Sequence, residues 1–181
     1  MEIQYKDIND FIVERCKEGD KKAQYELYKL YSKAMFNVSI RITNDYAEAE
    51  DVLQESFLSA FQNIHSYSKK VAFGSWLKRI VINHSINAVK KKRLETISIT
   101  EGDDYKDTYD EFNEEDFKNK IESIRNSIPK LPDGYRIILS LYALEGYSHK
   151  DIAEIMQISE STSKSQYSRA KKKLLDLIKE N

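Results

Sequence analysis

The stretch that decides the fold of this chain is residues 148–175, SHKDIAEIMQISESTSKSQYSRAKKKLL. Its apolar spacing predicts two short helices joined by a tight turn, with Ile152 and Met156 on one face of the first helix. Either Ser159 or Ser161 can cap the second helix. Two helices in this order form a helix-turn-helix.

The second helix of this motif is basic. Between residues 164 and 173 it carries five cations and no acid: Lys164, Arg169, Lys171, Lys172 and Lys173. A helix with this charge suits a phosphate-lined groove of DNA. The alternative is a solvated helical hairpin whose lysines only keep it in solution, because such patterns also recur by accident. The rest of the chain must decide between the two.

Composition narrows the class of protein. The chain has 181 residues, enough for one domain or two small ones, and its 5 Gly and 2 Pro favour helices. It shows no apolar run that could span a bilayer or act as a signal peptide, so we expect a soluble, cytoplasmic protein. A single Cys and 3 His exclude an internal disulfide and argue against a metal centre. We expect no metal and no cofactor.

The net charge of -1 conceals three segregated blocks. Residues 44–55 hold five acids and no base, residues 69–93 eight bases and no acid, and residues 94–119 ten acids and two lysines. The basic block has the charge expected of a nucleic-acid surface. The second acidic block has few aliphatic residues and cannot fold alone. The sequence therefore predicts a flexible acidic linker over 94–119, between domains at 1–93 and 120–181.

Four helices are predicted in the N-terminal domain. The first covers residues 7–18 and stops at Gly19, while Asp20 and Asp45 can cap the second and third. A polar loop over residues 65–75 precedes the fourth. The second helix is the most regular, with an apolar stripe of Ala23, Leu27, Leu30, Tyr31, Ala34, Val38 and Ile42.

The sequence also predicts helices in the C-terminal domain. Ile121 and Ile128 lie at helical spacing on a segment that Pro129 closes. Asp133 can cap the next helix, which ends at Gly146 just before the helix-turn-helix. No strand alternation persists, so the expected fold is all-α, with two small helical domains of which the second is a helix-turn-helix.

Four motifs in this order resemble those of the extracytoplasmic-function (ECF) sigma factors of the bacterial sigma-70 family, over nearly the whole length. GDKKAQYELYKLY is similar to the opening helix of that family, AEDVLQESFLSAFQNI to its polymerase-binding helix, FGSWLKRIVINHSINAVKKKR to its promoter-melting helix, and LPDGYRIILSLYALEGYSHKDIAEIMQIS to its C-terminal domain. The resemblance implies a sigma factor that directs promoter recognition, melting and transcription initiation. It also implies core RNA polymerase (the β′ clamp helices and the β flap), promoter DNA and an anti-sigma factor as partners.

One candidate site lies on the third helix. It consists of acid, amide and apolar groups within about two turns, a mixture that suits a protein partner: Asp51, Gln54, Glu55 and Leu58. The resemblance implies that this partner is the pair of β′ clamp helices. An ordinary solvated acidic face is the alternative.

A second candidate site contacts melted DNA, since holding unstacked bases takes aromatic, amide and cationic groups. The candidates are His65, Tyr67, Lys69, Phe73, Lys78, Arg79, Asn83, Asn87, Lys90 and Lys91. Trp76 is assigned instead to the core of the domain.

The resemblance places the last helix in the major groove of an upstream promoter element. The residues that can reach base edges or phosphates are Ser161, Thr162, Lys164, Ser165, Gln166, Arg169 and Lys172. Lys172 is expected to touch phosphate only.

The chain departs from the family pattern at three positions. Gln157 stands where the turn usually has glycine, so a positive φ is expected there at a cost of roughly 1 kcal/mol. Gln166 replaces a frequent arginine. Ser163 stands where a branched apolar residue is usual, which predicts that Ser163→Val stabilises the domain by about 1 kcal/mol.

Two other functions remain as alternatives. A stand-alone helix-turn-helix regulator would bind DNA without binding core polymerase. An enzyme is disfavoured because the chain has no Gly-rich phosphate loop and no His-Glu metal pair. We therefore expect no catalytic residues and no small-molecule substrate.

Overall fold

The computed structural model describes residues 9–95 and 114–179. Within these ranges the structure is helical and contains no strand, which confirms the all-α prediction. The chain divides into two compact units, Met1–Arg93 and Leu94–Asn181, which are considered separately. Most of the predicted acidic linker, residues 96–113, lies outside the described residues.

The described residues of the first unit form four α-helices and one 3₁₀ turn. They are α1 (Asp10–Lys17), α2 (Lys21–Thr43), α3 (Tyr46–Gln62), the 3₁₀ turn Ile64–Ser66, and α4 (Phe73–Glu95). The fourth helix thus begins three residues earlier than predicted, at Phe73, because that ring is buried in the core and becomes part of the first helical turn.

Side-chain caps define where α2 and α3 begin, as predicted. Asp20 Oδ1 accepts hydrogen bonds from the backbone N–H groups of Lys22 and Ala23, at 2.8 and 3.3 Å. Asp45 Oδ1 accepts one from the N–H of Glu48 at 3.2 Å. The two caps fix the connections at both ends of α2.

The core of this unit is formed by one face of each helix. Its largest fully buried side chains are Phe73, Leu27, Ile42, Ile64, Leu77, Ile82, Val13 and Val81. The predicted stripe of α2 is wrong at two positions, since Leu30 is 54% exposed and Ala34 is also exposed. Met35 is buried in their place, because a step of 3.6 residues carries the buried face from Leu27 past Tyr31 to Met35.

Cys16 lies on the buried face of α1 and is only 2% exposed. Burial raises the pKa of the Cys16 thiol to about 11. The thiol is therefore an apolar filler of the core in the folded protein.

In the part of the second unit that the structure describes there are four α-helices, one 3₁₀ turn and one π-helical turn. They are α5 (Glu114–Ser127), the 3₁₀ turn Ile128–Lys130, α6 (Asp133–Leu139), the π-helical turn Ser140–Leu144, α7 (His149–Met156) and α8 (Glu160–Lys179). Its core joins α6 to α8 through Leu131, Leu139 and Ala170, with Tyr167 packed against them.

The start of α6 differs from the prediction. Asp133 is the first helical residue and does not cap the helix; Pro132 occupies the cap position. The Asp133 carboxylate instead accepts a hydrogen bond from Arg136 Nη2 at 2.7 Å. Arg136 is 3% exposed and also donates to the carbonyl oxygen of Leu131 at 3.0 Å, so one buried guanidinium holds this turn together.

Candidate functional site

The structure brings the four candidate polymerase-binding residues together on one exposed face of α3. Asp51, Gln54 and Glu55 are exposed, and Leu58, a large aliphatic residue, is 62% exposed. At the edge of this face, Glu55 Oε2 lies 3.6 Å from Nδ1 of His84 on α4. The face combines negative charge with an uncovered apolar side chain, a combination suited to a protein partner.

Beside this face lies an open cleft between α2 and α3 that sequence reasoning missed. Its volume is about 470 Å³, and it is lined by Lys21, Gln24, Tyr25, Tyr28, Gln54, Phe57, Leu58 and Phe61. The rings of Tyr28 and Phe57 meet at 4.9 Å between centroids. The signal in the sequence was the pair Tyr25 and Tyr28, two tyrosines three residues apart that fall off the buried stripe of α2.

An exposed stripe along α4 gathers several of the candidates for melted DNA. Arg79, Asn83, Asn87 and Lys90 follow one another at steps of four, four and three residues, and all are exposed. Lys91 and His65 are also exposed, whereas Lys78 is half-buried. The stripe therefore places two amides between two cations along one side of the helix.

Two of the predicted base-stacking rings are not available for that role. Tyr67 is 3% exposed and Phe73 is fully buried. The Tyr67 hydroxyl donates to the carbonyl oxygen of Val71 at 2.8 Å, and its ring meets Phe73 edge-on at 5.4 Å. Trp76 packs 5.5 Å from both rings. The prediction that Tyr67 and Phe73 contact DNA is therefore corrected: these rings are core residues that support the loop.

Lys69 also differs from the expectation of a cation presented to DNA. Its Nζ lies 2.8 Å from Glu14 Oε1 and 3.8 Å from Asp10 Oδ2, both on α1. The hydrogen bond between Lys69 and Glu14 is the main cause that raises the pKa of Lys69 and lowers the pKa of Glu14. Two exposed neighbours, Ser68 and Lys70, were not selected from the sequence.

The helix-turn-helix is capped at both of its helices. Ser148 and Asp151 form a reciprocal capping box at the start of α7, and Ser159 Oγ accepts from the N–H of Thr162 at 3.0 Å at the start of α8. Of the two serines considered for the second cap, Ser159 is the one used. Gln157 has a φ of 60°, which confirms the expected left-handed residue in the turn.

The candidate readout residues of α8 divide by exposure. Ser161, Lys164 and Ser165 are exposed, whereas Thr162, Gln166, Arg169 and Lys172 are half-buried. Ser168 is exposed on the same stripe as Ser161 and Ser165 and was missed. Lys164 Nζ pairs with Glu160 Oε1 at 2.7 Å on this surface.

Gln166 faces the body of the unit more than predicted. A Cβ atom on Gly134 of α6 would lie 3.7 Å from Gln166 Oε1, so the Gln166 side chain lies over the start of that helix. Gln166 was expected to reach base edges or phosphates, and this is corrected, because residues 166 and 167 both flank the buried face of α8 and the Gln166 side chain is half-buried.

Ser163 has a hydrogen-bonding partner that its position in the sequence did not reveal. The side chain is fully buried, and its Oγ lies 3.0 Å from Nδ1 of His149. The His149 ring stacks on Tyr142 at 4.3 Å between centroids and meets Tyr167 edge-on at 5.7 Å. The prediction that Ser163→Val stabilises the domain is therefore wrong in its premise, since valine removes a paired buried hydroxyl.

Among the side chains that the structure describes, those of residues 9–92 and 121–179, no group of three or more from His, Cys, Asp and Glu is arranged to hold a metal ion. Across the same part of the chain, none of the helices is both long and apolar enough to cross a membrane.

Each of the two units contains a segment that matches a known protein family. The family model described as "Sigma-70 region 2" matches residues 27–95, and the one described as "Sigma-70, region 4" matches residues 121–174. Two solved structures share the fold. One is CnrH in complex with the cytosolic domain of CnrY, with a TM-score of 0.58, 18% identity, and coverage of 97% of this chain and 99% of that one. The other is the sigma factor RpoE in complex with the anti-sigma factor NepR from Bartonella quintana, with a TM-score of 0.57, 21% identity, and coverage of 86% and 96%.

Curated relatives match along most of the chain. The RNA polymerase sigma-H factor of Pseudomonas aeruginosa is 31% identical over 170 residues, covering 88% of this chain and 88% of the relative. The ECF RNA polymerase sigma factor SigW of Bacillus subtilis is 30% identical over 172 residues, covering 90% and 92%. The ECF RNA polymerase sigma-E factor of Haemophilus influenzae is 31% identical over 178 residues, covering 92% and 93%. By this similarity along its length, and by the matches of both units, the chain belongs to the ECF sigma factors of the sigma-70 family.

Proposed function

We propose that this chain is an RNA polymerase sigma factor that binds core polymerase through α3 and promoter DNA through α4 and α8. The observation that carries this proposal is the pair of exposed faces on the first unit. The α3 face holds Asp51 and Glu55, whereas the α4 stripe holds Arg79 and Lys90. Surfaces of opposite charge on two helices of one domain favour two partners of opposite charge.

The α3 face and its cleft fit a helical partner with basic side chains. Asp51 and Glu55 supply charge, and Gln54 supplies an amide. Leu58 and the tyrosine-lined cleft supply apolar surface that a partner can cover. In ECF sigma factors the partner of this helix is the pair of β′ clamp helices, and we assign the same partner here.

The α4 stripe fits the backbone and bases of an opened strand. Arg79 and Lys90 can neutralise phosphates, while Asn83 and Asn87 offer donors and acceptors to the edges of bases. His65 and Lys70 extend the same chemistry onto the loop before α4.

On the second unit, α8 fits the major groove of duplex DNA. The exposed hydroxyls of Ser161 and Ser165 can reach base edges, and Lys164 and Lys172 can reach phosphates.

We assign the first domain, residues 1–93, to polymerase binding and promoter melting.

The remaining chain segments and partners follow from family membership. Residues 120–181 are assigned to upstream promoter recognition and to the β flap, and the segment between α4 and α5 is assigned as the linker between the domains. We assign an anti-sigma factor as the regulator, by analogy with the sigma factor RpoE, whose solved structure is a complex with the anti-sigma factor NepR. The chain then acts in the cytoplasm without catalysing a reaction. A stand-alone regulator is disfavoured, because the relatives are named as RNA polymerase sigma factors.

The test is a charge reversal on the α3 face. Asp51→Arg places a cation where the partner presents bases, and like charges across an interface cost several kcal/mol. Binding to core polymerase and transcription from a cognate promoter should then collapse, while the melting temperature stays near that of the parent. Glu18→Arg is the matched control, since Glu18 is exposed in the same unit but lies just beyond α1. Unchanged polymerase binding by a folded Asp51→Arg protein would overturn the assignment of α3.

A further inference from the structure

The loop between the 3₁₀ turn and α4 is fixed at both ends. At its start, the buried Tyr67 donates its hydroxyl proton to the Val71 carbonyl across the loop. At its end, Phe73 is fully buried beneath Trp76 and Tyr31. The loop residues between these two anchors cannot move freely. The direction in which each of their side chains points therefore depends on the contacts of that side chain.

Lys69 is the residue at which the loop turns. Its φ is 59°, a left-handed conformation that residues other than glycine seldom adopt. Such a conformation persists only where neighbouring contacts enforce it. Lys69 forms ion pairs with Glu14 at 2.8 Å and with Asp10 at 3.8 Å.

The carboxylates that hold Lys69 are themselves on a rigid support. Asp10 and Glu14 are four residues apart and so share one face of α1. A neighbouring face of α1 is buried through Val13 and Cys16, and Arg15 forms an ion pair with the cap residue Asp20 at 2.6 Å. The helix α1 is therefore a rigid surface beside the loop.

We propose that Glu14, together with Asp10, is a positioning residue for promoter melting: the two carboxylates hold Lys69 against α1, and so set which loop residues face the DNA strand. The inference rests on the proposed function, in which this loop contacts DNA. Held in this way, Lys69 is neutralised by protein carboxylates and is not offered to phosphate. The polar groups that remain exposed include Ser68 and Lys70 on the loop and His65 on the 3₁₀ turn before it.

A direct role for Lys69 in binding phosphate makes the opposite prediction. In that case Lys69→Gln would remove one phosphate contact and reduce the dependence of affinity on salt. If Lys69 only positions the loop, the same substitution changes the choice of bases but leaves the salt dependence alone. The two roles can therefore be separated by measuring both quantities on the same set of variants.

The experiment uses full-length protein in complex with core RNA polymerase. Single-stranded DNA randomised over a short window is first selected with the parent complex, and the selected strand is compared with a shuffled strand across a range of salt concentrations. The variants are Asp10→Asn/Glu14→Gln and Lys69→Gln. Lys17→Gln is the matched control, because Lys17 also pairs with Glu14, at 3.3 Å, but lies on α1 itself.

We expect Asp10→Asn/Glu14→Gln to lower the ratio of affinities for the selected and shuffled strands about fivefold. The released lysine should also steepen the slope of log affinity against log salt by about 0.7, the value for one added contact to a single strand. Lys69→Gln should lower the ratio similarly without steepening the slope, and Lys17→Gln should match the parent. Should the double variant melt early, Glu14→Gln alone removes the shorter ion pair and should show the same two effects.

The inference is overturned if the carboxylate variants keep both the parent's ratio and the parent's slope, or if Lys69→Gln makes the slope shallower by about 0.7. A different result tests the proposed function on which this inference rests. If the parent complex itself selects no preferred strand, the assignment of this unit to promoter DNA fails, and the inference fails with it.

Discussion

The hydroxyl of Ser163 and Nδ1 of His149 lie 3.0 Å apart and join the two helices of the helix-turn-helix by a hydrogen bond. The serine is fully buried, and the histidine is held between Tyr142 and Tyr167. A polar pair thus occupies the contact where this family usually places a branched apolar side chain. The two residues should therefore behave as one energetic unit.

A double-mutant cycle on Ser163→Val and His149→Phe tests this coupling. Each single change should destabilise the fold by about 1 kcal/mol, because it leaves the other partner without its hydrogen bond. The double variant should lose less than the sum, with a coupling energy of about 0.5–1.5 kcal/mol. Urea denaturation measures these differences, and Ser165→Val, at an exposed position of α8, controls for the helix propensity of valine. Additive losses would mean that the hydrogen bond contributes nothing to stability.

Two helical glycines should respond oppositely to alanine. At Gly74 in α4, an added Cβ would lie 2.8 Å from Cε1 of Tyr31, whose hydroxyl is bonded to Asn9. Gly74→Ala should therefore destabilise the fold by about 1–2 kcal/mol through overpacking. At Gly134 in α6 the nearest atom is 3.7 Å away, so Gly134→Ala should stabilise by about 0.4–1 kcal/mol. Thermal melting compares the two, and a gain in both would mean that the Tyr31 ring moves aside at little cost.

Asp20 should make the stability of the first unit depend on pH in the acid range. Hydrogen bonds from Arg15 are the main cause that lowers the pKa of Asp20 in the folded state. The stabilisation is therefore present above the unfolded pKa of about 3.9 and is lost as pH falls through the lower folded value. Asp20→Asn keeps the helix cap but removes the charge, so its stability deficit at neutral pH should shrink on acidification.

The control for this prediction is Asp20→Ala, which removes both the cap and the charge. It should remain less stable than Asp20→Asn at every pH, since asparagine still accepts from the N–H groups of the first turn. Denaturant melts across the acid range give both curves. A deficit of Asp20→Asn that does not change with pH would show that the pairing with Arg15 has no net effect on stability.

On α8, we expect Lys172 to position the helix by contacting phosphate and Ser165 to recognise bases. Lys172→Ala in the polymerase complex should weaken binding alike for all upstream sequences and reduce the salt slope by about 0.9. Ser165→Ala should instead change the preference at one or two base pairs and leave the slope unchanged. Binding to a panel of promoter duplexes at several salt concentrations measures both effects. If both substitutions act alike, the division of roles on this helix is wrong.

Features set by neighbouring residues along the chain could be predicted from the sequence. Asp20 and Asp45 cap helices because the groups that they satisfy lie two or three residues away. The left-handed turn at Gln157 follows from the length of the turn in a helix-turn-helix. The exposed face of α3 follows from helical periodicity alone.

Features set by contacts across the fold could not be predicted. The pattern of residues 65–75 suits a base-binding loop and a core anchor equally well, and only the packing shows that Tyr67 and Phe73 point inward. Lys69 and Lys70 are indistinguishable in sequence, because the carboxylates that engage Lys69 lie more than fifty residues earlier. The partner of Ser163, fourteen residues away on another helix, was hidden for the same reason.

Because Cys16 is buried, the rate at which its thiol reacts can measure how often α1 opens. Thiol reagents attack the thiolate, and a buried thiol with a pKa of about 11 supplies almost none of it at neutral pH. Alkylation of this single cysteine must therefore wait until α1 leaves the core. The labelling rate then reports how often α1, the helix that holds Lys69, detaches from the core. No cysteine has to be introduced for this measurement, and the rate can be followed as polymerase or DNA is added.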